Sequence, residues 1–177
     1  MDADLQIAAW VKATVSPVLT YVMIFITTVG SMKFIFSACV LISIIFWKKG
    51  KVWEICALFV SVTGAELLSR IFKALIHRPR PFPSLVETGG YAFPSGHAML
   101  SITFYGFLLY ILLKGEKSQN TKVYGSMCLI SLTLLIGFSR IYLNVHWLTD
   151  ILGGYITGLI WLVGCIAATN RLKGTFK

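Results

Sequence analysis

Residues 123–168 read VYGSMCLISLTLLIGFSRIYLNVHWLTDILGGYITGLIWLVGCIAA. Two apolar runs, 123–139 and 147–168, flank a short connection that carries Arg140 and His146. Each run reaches or approaches the roughly 20 residues that a helix needs to cross a bilayer. The stretch therefore predicts two consecutive membrane-spanning helices, joined by a connection with ionisable side chains.

The rest of the chain has the same apolar character. Of its 177 residues, 56% are hydrophobic and 13% are charged, against roughly 25% charged residues in soluble domains. Further apolar runs cover 34–47, 52–72 and 97–113, and no linker or internal repeat divides the chain. We predict an all-α protein with one integral-membrane domain, residues 1–177, folded as a polytopic transmembrane helical bundle of five or six spans.

The N-terminal segment 1–30 is predicted to be peripheral. Its apolar run, 17–29, is too short to cross a bilayer unaided and is more typical of a re-entrant or interfacial helix. Five spans with a cytoplasmic C-terminus would leave the N-terminus outside the cell. We therefore hypothesise that a natural first span precedes residue 1.

The net charge of +9 is explained by topology rather than by binding of nucleic acid. With alternating spans, three basic groups fall on one side of the membrane, which the positive-inside rule makes cytoplasmic. These groups are Lys48, Lys49 and Lys51; Lys114, Lys117 and Lys122; and Arg171, Lys173 and Lys177. We predict a multi-pass cell-membrane protein with an extracytoplasmic site, a cytoplasmic C-terminus and no obligate protein partner.

His146 and Asp150 are four residues apart at the start of an apolar helix, so their side chains share one face. The carboxylate can hold one imidazole nitrogen in its protonated form and leave the other nitrogen free to attack. An isolated pair at this spacing could equally be an interfacial cap or ion pair. Arg140 on the same connection favours a site, because guanidinium suits bidentate phosphate contact and a cation beside lipid needs a partner.

The segment Pro94–His97, PSGH, precedes another apolar run. Ser95 is a favoured N-cap and Gly96 lets the backbone approach an anion closely. The free N–H groups at such a helix start form a phosphate cradle, and His97 in the first turn is placed to act as a general acid. The alternative for this segment is a simple capped helix start.

The segment Lys73–Pro81, KALIHRPRP, adds Lys73 and Arg80 to the basic set. The alternative is a snorkelling lysine in a polybasic collar at the headgroups, although that would not need two prolines to stiffen the backbone. Glu66 and Arg70 share a face of the preceding helix and are predicted to form a structural ion pair. No role is defined for His77 and Arg78, which flank the segment, and we hypothesise that Glu87 and Tyr91, in the loop above the site, contact a lipid headgroup.

These three segments, in this order, resemble the signature of the type 2 phosphatidic acid phosphatase family, the lipid phosphate phosphatases. The family pattern is K-x6-RP, then PSGH, then SR-x5-H-x3-D. The chain matches it without departure at Lys73 with Arg80-Pro81, at Pro94–His97, and at Ser139-Arg140 with His146 and Asp150. The resemblance covers roughly residues 60–165.

The resemblance implies a phosphomonoesterase that needs no metal or other cofactor, with a helical core like that of the vanadium haloperoxidases. His146 would form a phosphohistidine, Asp150 would orient it, and His97 would protonate the departing alkoxide. The phosphoryl oxygens would be bound by Lys73, Arg80, Ser95, Gly96 and Arg140. Vanadate should then imitate the transition state.

Compact bacterial members of the family act on phospholipid or polyprenyl phosphates. The leading hypothesis for this chain is a phosphatidylglycerophosphate phosphatase, and the alternative is an undecaprenyl pyrophosphate phosphatase. A more distant alternative is an anionic-lipid binding or transport protein. Binding alone would not require His146 backed by Asp150, nor a second histidine at position 97, so the histidines favour an enzyme.

Overall fold

A computed structural model describes residues 2–175. Three residues lie outside the described range: Met1, Phe176 and Lys177. Lys177 belongs to the predicted C-terminal basic group. Helices account for most of the described chain, and it contains no strand. The helices are α1 (Asp2–Ala13), α2 (Pro17–Val29), α3 (Met32–Lys48), α4 (Val52–Ile76), α5 (Gly96–Lys114), α6 (Gln119–Tyr142) and α7 (Leu148–Thr175). The predicted all-α class is confirmed.

Several of these helices begin at a serine for the same physical reason. The side-chain oxygen of the serine accepts a hydrogen bond from the backbone N–H three residues later, which satisfies one of the free donors in the first helical turn. Such caps occur at Ser16, Ser31, Ser95 and Ser118. Pro17 follows the first of them, where its fixed φ angle suits the start of a helix. Local sequence therefore sets these boundaries.

Helices α4, α5, α6 and α7 are each long and apolar enough to cross a membrane. Their bounds agree with the predicted spans, with extensions of a few residues at several ends. Helices α2 and α3 meet the same criterion only as a pair, bent by 46° at a short break. The described residues thus supply four spans, or five with the bent pair, and a sixth is not found among residues 2–175.

The bent pair has the geometry of a broken span or a re-entrant loop. Helix α2 packs against α6, and Met23 is buried between them with Ile26 beside it. The described residues therefore tie α2 to the bundle. The interfacial or re-entrant placement of residues 17–29 stays a prediction.

Helix α5 lies at the centre of the bundle, in contact with α4, α6 and α7. Two glycines of α7 allow the closest of these approaches. A Cβ atom on Gly154 would lie 2.7 Å from the Ser95 carbonyl oxygen, and one on Gly158 would lie 2.8 Å from that of Met99. Because a backbone atom cannot move aside as a side chain can, these positions require glycine for helix contact.

The two ends of the bundle differ in chemistry. At one end, Lys173 Nζ of α7 donates to Glu54 Oε1 of α4 at 2.8 Å, near the predicted cytoplasmic basic groups. At the other end, the connections 77–95 and 143–147 lie together, as the hydrogen bond from Leu85 N to Leu143 O at 3.0 Å shows. The three sequence segments that resemble the phosphatase signature all lie at this second end.

Candidate active site

The two connections that form the site are held by backbone geometry. His77 ends α4 and Asn144 lies in the turn after α6, both in the left-handed region with φ of 51° and 52°. The Asn144 side-chain amide donates to the Pro83 carbonyl at 2.7 Å. This contact docks the proline-containing loop on the turn that precedes His146.

His146 is 3% exposed and is held on both of its ring nitrogens. Nδ1 lies 3.4 Å from Asp150 Oδ2, and Nε2 lies 3.1 Å from Arg80 Nη1. Because arginine can only donate, Nε2 must accept, and the proton of the neutral ring must be on Nδ1, facing Asp150. The carboxylate is itself oriented by the backbone N–H of Trp147, which donates to Oδ2 at 2.9 Å.

The surroundings of His146 keep its ring neutral. Burial lowers the pKa of His146 to about 4; the hydrogen bond to Asp150 opposes this shift, whereas the charges of Arg80, Arg140 and Lys73 add to it. A buried cation beside other cations is unfavourable, and the imidazole therefore gives up its proton well below neutral pH. At physiological pH, Nε2 therefore carries no proton and its lone pair accepts the hydrogen bond from Arg80.

Three cations face the same space as His146. Arg80 is held by the carbonyls of Gly89 and Gly90, each at 3.0 Å, and of Val145 at 2.7 Å. The half-buried Lys73 places Nζ 2.8 Å from both the Tyr91 and Pro94 carbonyl oxygens. These carbonyls fix each cation without neutralising it, so the positive charge remains available to an anion.

Arg140 is the most deeply buried of the three cations, at 5% exposed. Its Nη1 donates to Thr27 Oγ1 of α2 at 2.8 Å, while its Nε is buried and has no partner among the described residues. A buried, unpaired donor of this kind is costly, and an anion in the adjacent space would supply the missing acceptor.

The start of α5 forms the remaining wall. Ser95 caps the helix through a hydrogen bond from Ala98 N, and its own N–H donates to the Asp150 carbonyl at 3.0 Å. The first-turn N–H groups of Gly96 and His97 have no intrahelical acceptor and lie at the positive end of the helix dipole. The side chain of His97 is partly buried and borders the same space as His146.

The walls line a cavity of about 330 Å³ that is open on one side. Six of the eight predicted site residues line it: Lys73, Arg80, Gly96, His97, Arg140 and His146. Ser95 and Asp150 lie directly behind this lining, as the helix cap and as the partner of the His146 ring. The geometry brings all eight together, and their individual roles remain predictions.

The residues that were predicted to lie outside the core of the site have different placements. The predicted pair of Glu66 and Arg70 is confirmed at 2.8 Å, and both also line the cavity. The Tyr91 ring packs edge-on against His77, with centroids 4.4 Å apart, and Glu87 is exposed. Arg78, in contrast, lies against Asp150, with Nη1 2.6 Å from Oδ1.

The cavity lining includes five residues that were not predicted from the sequence: Met32, Ser69, Thr88, Gly89 and Leu100. Two further residues that were missed contact arginines at the site. Thr27 on α2 contacts Arg140, and Asp4 on α1 contacts Arg78 at 2.8 Å. Both lie in the segment that was predicted to be peripheral. The only signal in the sequence was an aspartate in the N-terminal segment ahead of the first apolar run.

Comparison with known proteins places this geometry in a family. The model of the PAP2 superfamily matches residues 54–173, which include every predicted site residue. Phosphatidylglycerophosphatase B of Bacillus subtilis (strain 168) is 33% identical over 147 residues, which cover 81% of this chain and 72% of that protein. "Putative undecaprenyl-diphosphatase YbjG" of Escherichia coli (strain K12) is 28% identical over 141 residues, covering 72% of this chain and 63% of that protein.

Solved structures agree with this placement. The transmembrane PAP2 type phosphatidylglycerolphosphate phosphatase from Bacillus subtilis superposes with a TM-score of 0.86 at 29% identity, over 96% of this chain and 86% of that one. Aquifex aeolicus LpxE shares the fold, with a TM-score of 0.73 at 21% identity over 92% and 94% of the two chains. The motifs, the buried histidine with its carboxylate and the family match together establish that this chain belongs to the PAP2 superfamily.

Proposed function

We propose that this chain is a membrane lipid phosphatase that forms a covalent phosphohistidine at His146. One observation carries the proposal: a neutral, buried imidazole is held by Asp150 on one nitrogen and opens on the other into a cavity lined by cations. A site that only bound anions would need the cations but not this backed histidine.

In the first step, the phosphoryl oxygens of the substrate accept hydrogen bonds from Arg80, Lys73 and Arg140. Arg80 Nη1 now donates to the substrate instead of to Nε2, which frees the Nε2 lone pair to attack phosphorus. The negative charge of the bound phosphate offsets the cations and favours the protonated form of His97. The P–O bond to the lipid then breaks as the P–N bond forms, and His97 gives its proton to the departing alkoxide. The cations and the α5 N-terminus stabilise the charge on the equatorial oxygens.

In the second step, water attacks the phosphohistidine. His97, now neutral, accepts a proton from the water, and the P–N bond breaks to return His146 to its starting form. Asp150 stabilises the positive charge that develops on the imidazole in each step. Every proton taken in one step is thus returned in the other, and the chain completes the cycle with its own side chains.

Phosphatidylglycerophosphate is the substrate that the similarity to phosphatidylglycerophosphatase B supports best. Its terminal phosphomonoester would bind at the cationic end of the cavity, beside Lys73, Arg80 and Arg140. The cavity also extends to Glu66 and Arg70, and these could meet the glycerol of the headgroup. The similarity to an undecaprenyl-diphosphatase supports a second candidate, a polyprenyl diphosphate.

The orientation of the chain follows from its basic residues. The connections rich in lysine lie at the end of the bundle opposite to the site, and the positive-inside rule assigns that end to the cytoplasm. We therefore place the site at the outer face of the cell membrane and the C-terminus inside. Labelling of single cysteines with a membrane-impermeant thiol reagent in intact cells, on a background with all four native cysteines replaced, tests this orientation.

The substrate is tested by phosphate release from three lipids in parallel: phosphatidylglycerophosphate, phosphatidic acid and undecaprenyl pyrophosphate. Purified protein in detergent should release phosphate fastest from the first. His146→Ala is the control for a contaminating phosphatase and should release none. A preference for undecaprenyl pyrophosphate would favour the second candidate, whereas hydrolysis of none of the three would contradict the proposed function.

A further inference from the structure

Arg78 lies between two carboxylates, one of which is the partner of the predicted nucleophile. Its Nη1 donates to Asp150 Oδ1 at 2.6 Å, and its Nη2 donates to Asp4 Oδ2 at 2.8 Å. The contact with Asp150 is shorter than the 3.4 Å contact between that carboxylate and His146 Nδ1. Among the described residues, Arg78 therefore makes the shortest side-chain contact with Asp150 and fixes the plane of the carboxylate.

Asp4 is held as firmly as Asp150. It is 5% exposed and accepts hydrogen bonds from Thr149 Oγ1 at 2.7 Å and from Thr149 N at 3.1 Å. Burial by itself would raise the pKa of Asp4, but the hydrogen bonds from Thr149 and the charge of Arg78 outweigh it and lower the pKa below the ordinary value. Asp4 is thus ionised at neutral pH, although it comes from a helix that lies outside the family match.

The charges of this network bear directly on His146. One guanidinium shared by two carboxylates leaves a net charge of −1, so Arg78 does not cancel the charge of Asp150. If Asp4 were neutral, Asp150 and Arg78 would form an isolated pair with no net charge. The carboxylate would then stabilise the developing positive charge on the imidazole less well.

We propose that Asp4 and Arg78 are positioning residues of this enzyme: Arg78 fixes the Asp150 carboxylate, and Asp4 balances the charge of Arg78 so that Asp150 keeps its own charge for His146. The proposal rests on the proposed function, because it concerns the reactivity of the same histidine. It gives α1 a part in catalysis as well as in packing.

The kinetic test uses Asp4→Asn, Arg78→Gln and the double variant in the full chain, with the preferred lipid as substrate. We expect kcat to fall about tenfold for Asp4→Asn and about a hundredfold for Arg78→Gln, the range seen when groups that orient reactive ligands are removed. KM should change little, because neither residue lines the cavity. The double variant should resemble Arg78→Gln alone, since Asp4 acts through Arg78.

Glu54→Gln is the matched control. It breaks an ion pair of the same 2.8 Å length, between Glu54 and Lys173 at the opposite end of the bundle, and should leave kcat unchanged. Values of kcat within twofold of the wild type for both Asp4→Asn and Arg78→Gln would overturn the proposal. The proposal would also be overturned if Asp4→Asn lowered kcat by the same factor in the wild type and in Arg78→Gln.

Arg78→Lys serves if the stronger changes prevent folding. It keeps the charge but cannot reach both carboxylates with one planar fork, so kcat should fall about tenfold with little change in melting temperature. An unchanged kcat in a folded Arg78→Lys protein would contradict the proposal that one side chain must contact both Asp150 and Asp4.

A second readout does not depend on turnover. The chain has three histidines, so nitrogen NMR of ¹⁵N-histidine protein can be assigned with His77→Gln and His97→Gln. His146 should be protonated on Nδ1 in both the wild type and Arg78→Gln, because Arg80 still donates to Nε2. The Nδ1–H proton, which faces Asp150 Oδ2, should resonate further upfield and exchange faster with water in Arg78→Gln than in the wild type. An unchanged Nδ1–H resonance would refute positioning by Arg78, whereas a wild-type protein that hydrolyses no lipid but shows the expected change in Arg78→Gln would refute only the proposed function.

Discussion

The protonation of His146 is the property on which the proposed chemistry depends most. Lowering the pH tests this property directly, because it protonates the ring. Burial and the nearby cations lower the pKa of this histidine from 6.5 to about 4, and one pKa unit corresponds to about 1.4 kcal/mol. Protonating His146 in the folded protein therefore costs about 3 kcal/mol more than in an unfolded chain. At pH 7 only about one molecule in a thousand would carry an imidazolium at this position.

The sign of the effect on stability follows from the direction of the shift. As the pH falls below 6.5, the unfolded chain binds a proton at this histidine before the folded chain does, so stability is lost. The loss continues until the pH reaches about 4, where the folded protein is protonated as well. Stability from this group is thus fully present above pH 6.5 and absent below about pH 4.

Nitrogen NMR of ¹⁵N-histidine protein between pH 3 and 8 gives the titration of each histidine directly. We expect a midpoint near 4 for His146. The positive charge of Arg80 is one cause of the low value, so Arg80→Gln should raise the midpoint by about one unit. A midpoint at 6.5 or higher in the wild type, or no rise in Arg80→Gln, would refute the electrostatic reasoning.

Three further predictions concern the reaction and the packing around it. His146→Ala should abolish turnover with the fold retained, and Asp150→Asn should lower kcat about 10³–10⁴-fold. Phosphate release measures the activity of both variants, and circular dichroism checks their fold. Near-normal hydrolysis by His146→Ala would exclude His146 as the nucleophile. Vanadate should inhibit and EDTA should leave the rate unchanged, so a strict Mg²⁺ requirement in the same assay would contradict the predicted independence from metals. Gly154→Ala should lower stability by about 1–3 kcal/mol and remove much of the activity, because its Cβ would meet the Ser95 carbonyl. The control in thermal melting is Gly164→Ala, whose Cβ would have nothing within 4 Å. Equal losses of stability at both glycines would contradict the predicted clash at Gly154.

Much of the fold could be predicted because the bilayer imposes simple rules on sequence. Spans such as 97–113 and 123–139 differ from the observed helices by only a few residues at each end, since length and hydropathy determine them. The pair α2 and α3 was harder to predict. Its break at Gly30 and Ser31 divides one hydrophobic stretch into two helices, each too short to pass as a span alone, and only packing against α6 shows how they are arranged.

The site was predicted where the chemistry is local in sequence. His146 and Asp150 are four positions apart and do lie in contact, although not on one helical face as predicted, because α7 begins only at Leu148 and His146 lies in the turn before it. Ser95 caps the helix that follows it, as predicted. The contacts of Arg78 and Arg140 could not be predicted in the same way. Their partners, Asp4 and Thr27, lie 74 and 113 positions away, and a single aspartate or threonine in a short N-terminal helix carries no periodic or motif signal.

The phosphohistidine is the central claim, and rapid quenching tests it most directly. Protein is mixed with lipid labelled with ³²P in its terminal phosphate, quenched in alkali within milliseconds, and digested for peptide mapping. The account predicts label that is stable to alkali and labile to acid, on the peptide containing His146, and none in His146→Ala. Turnover without a labelled intermediate, or label on a different residue, would contradict it.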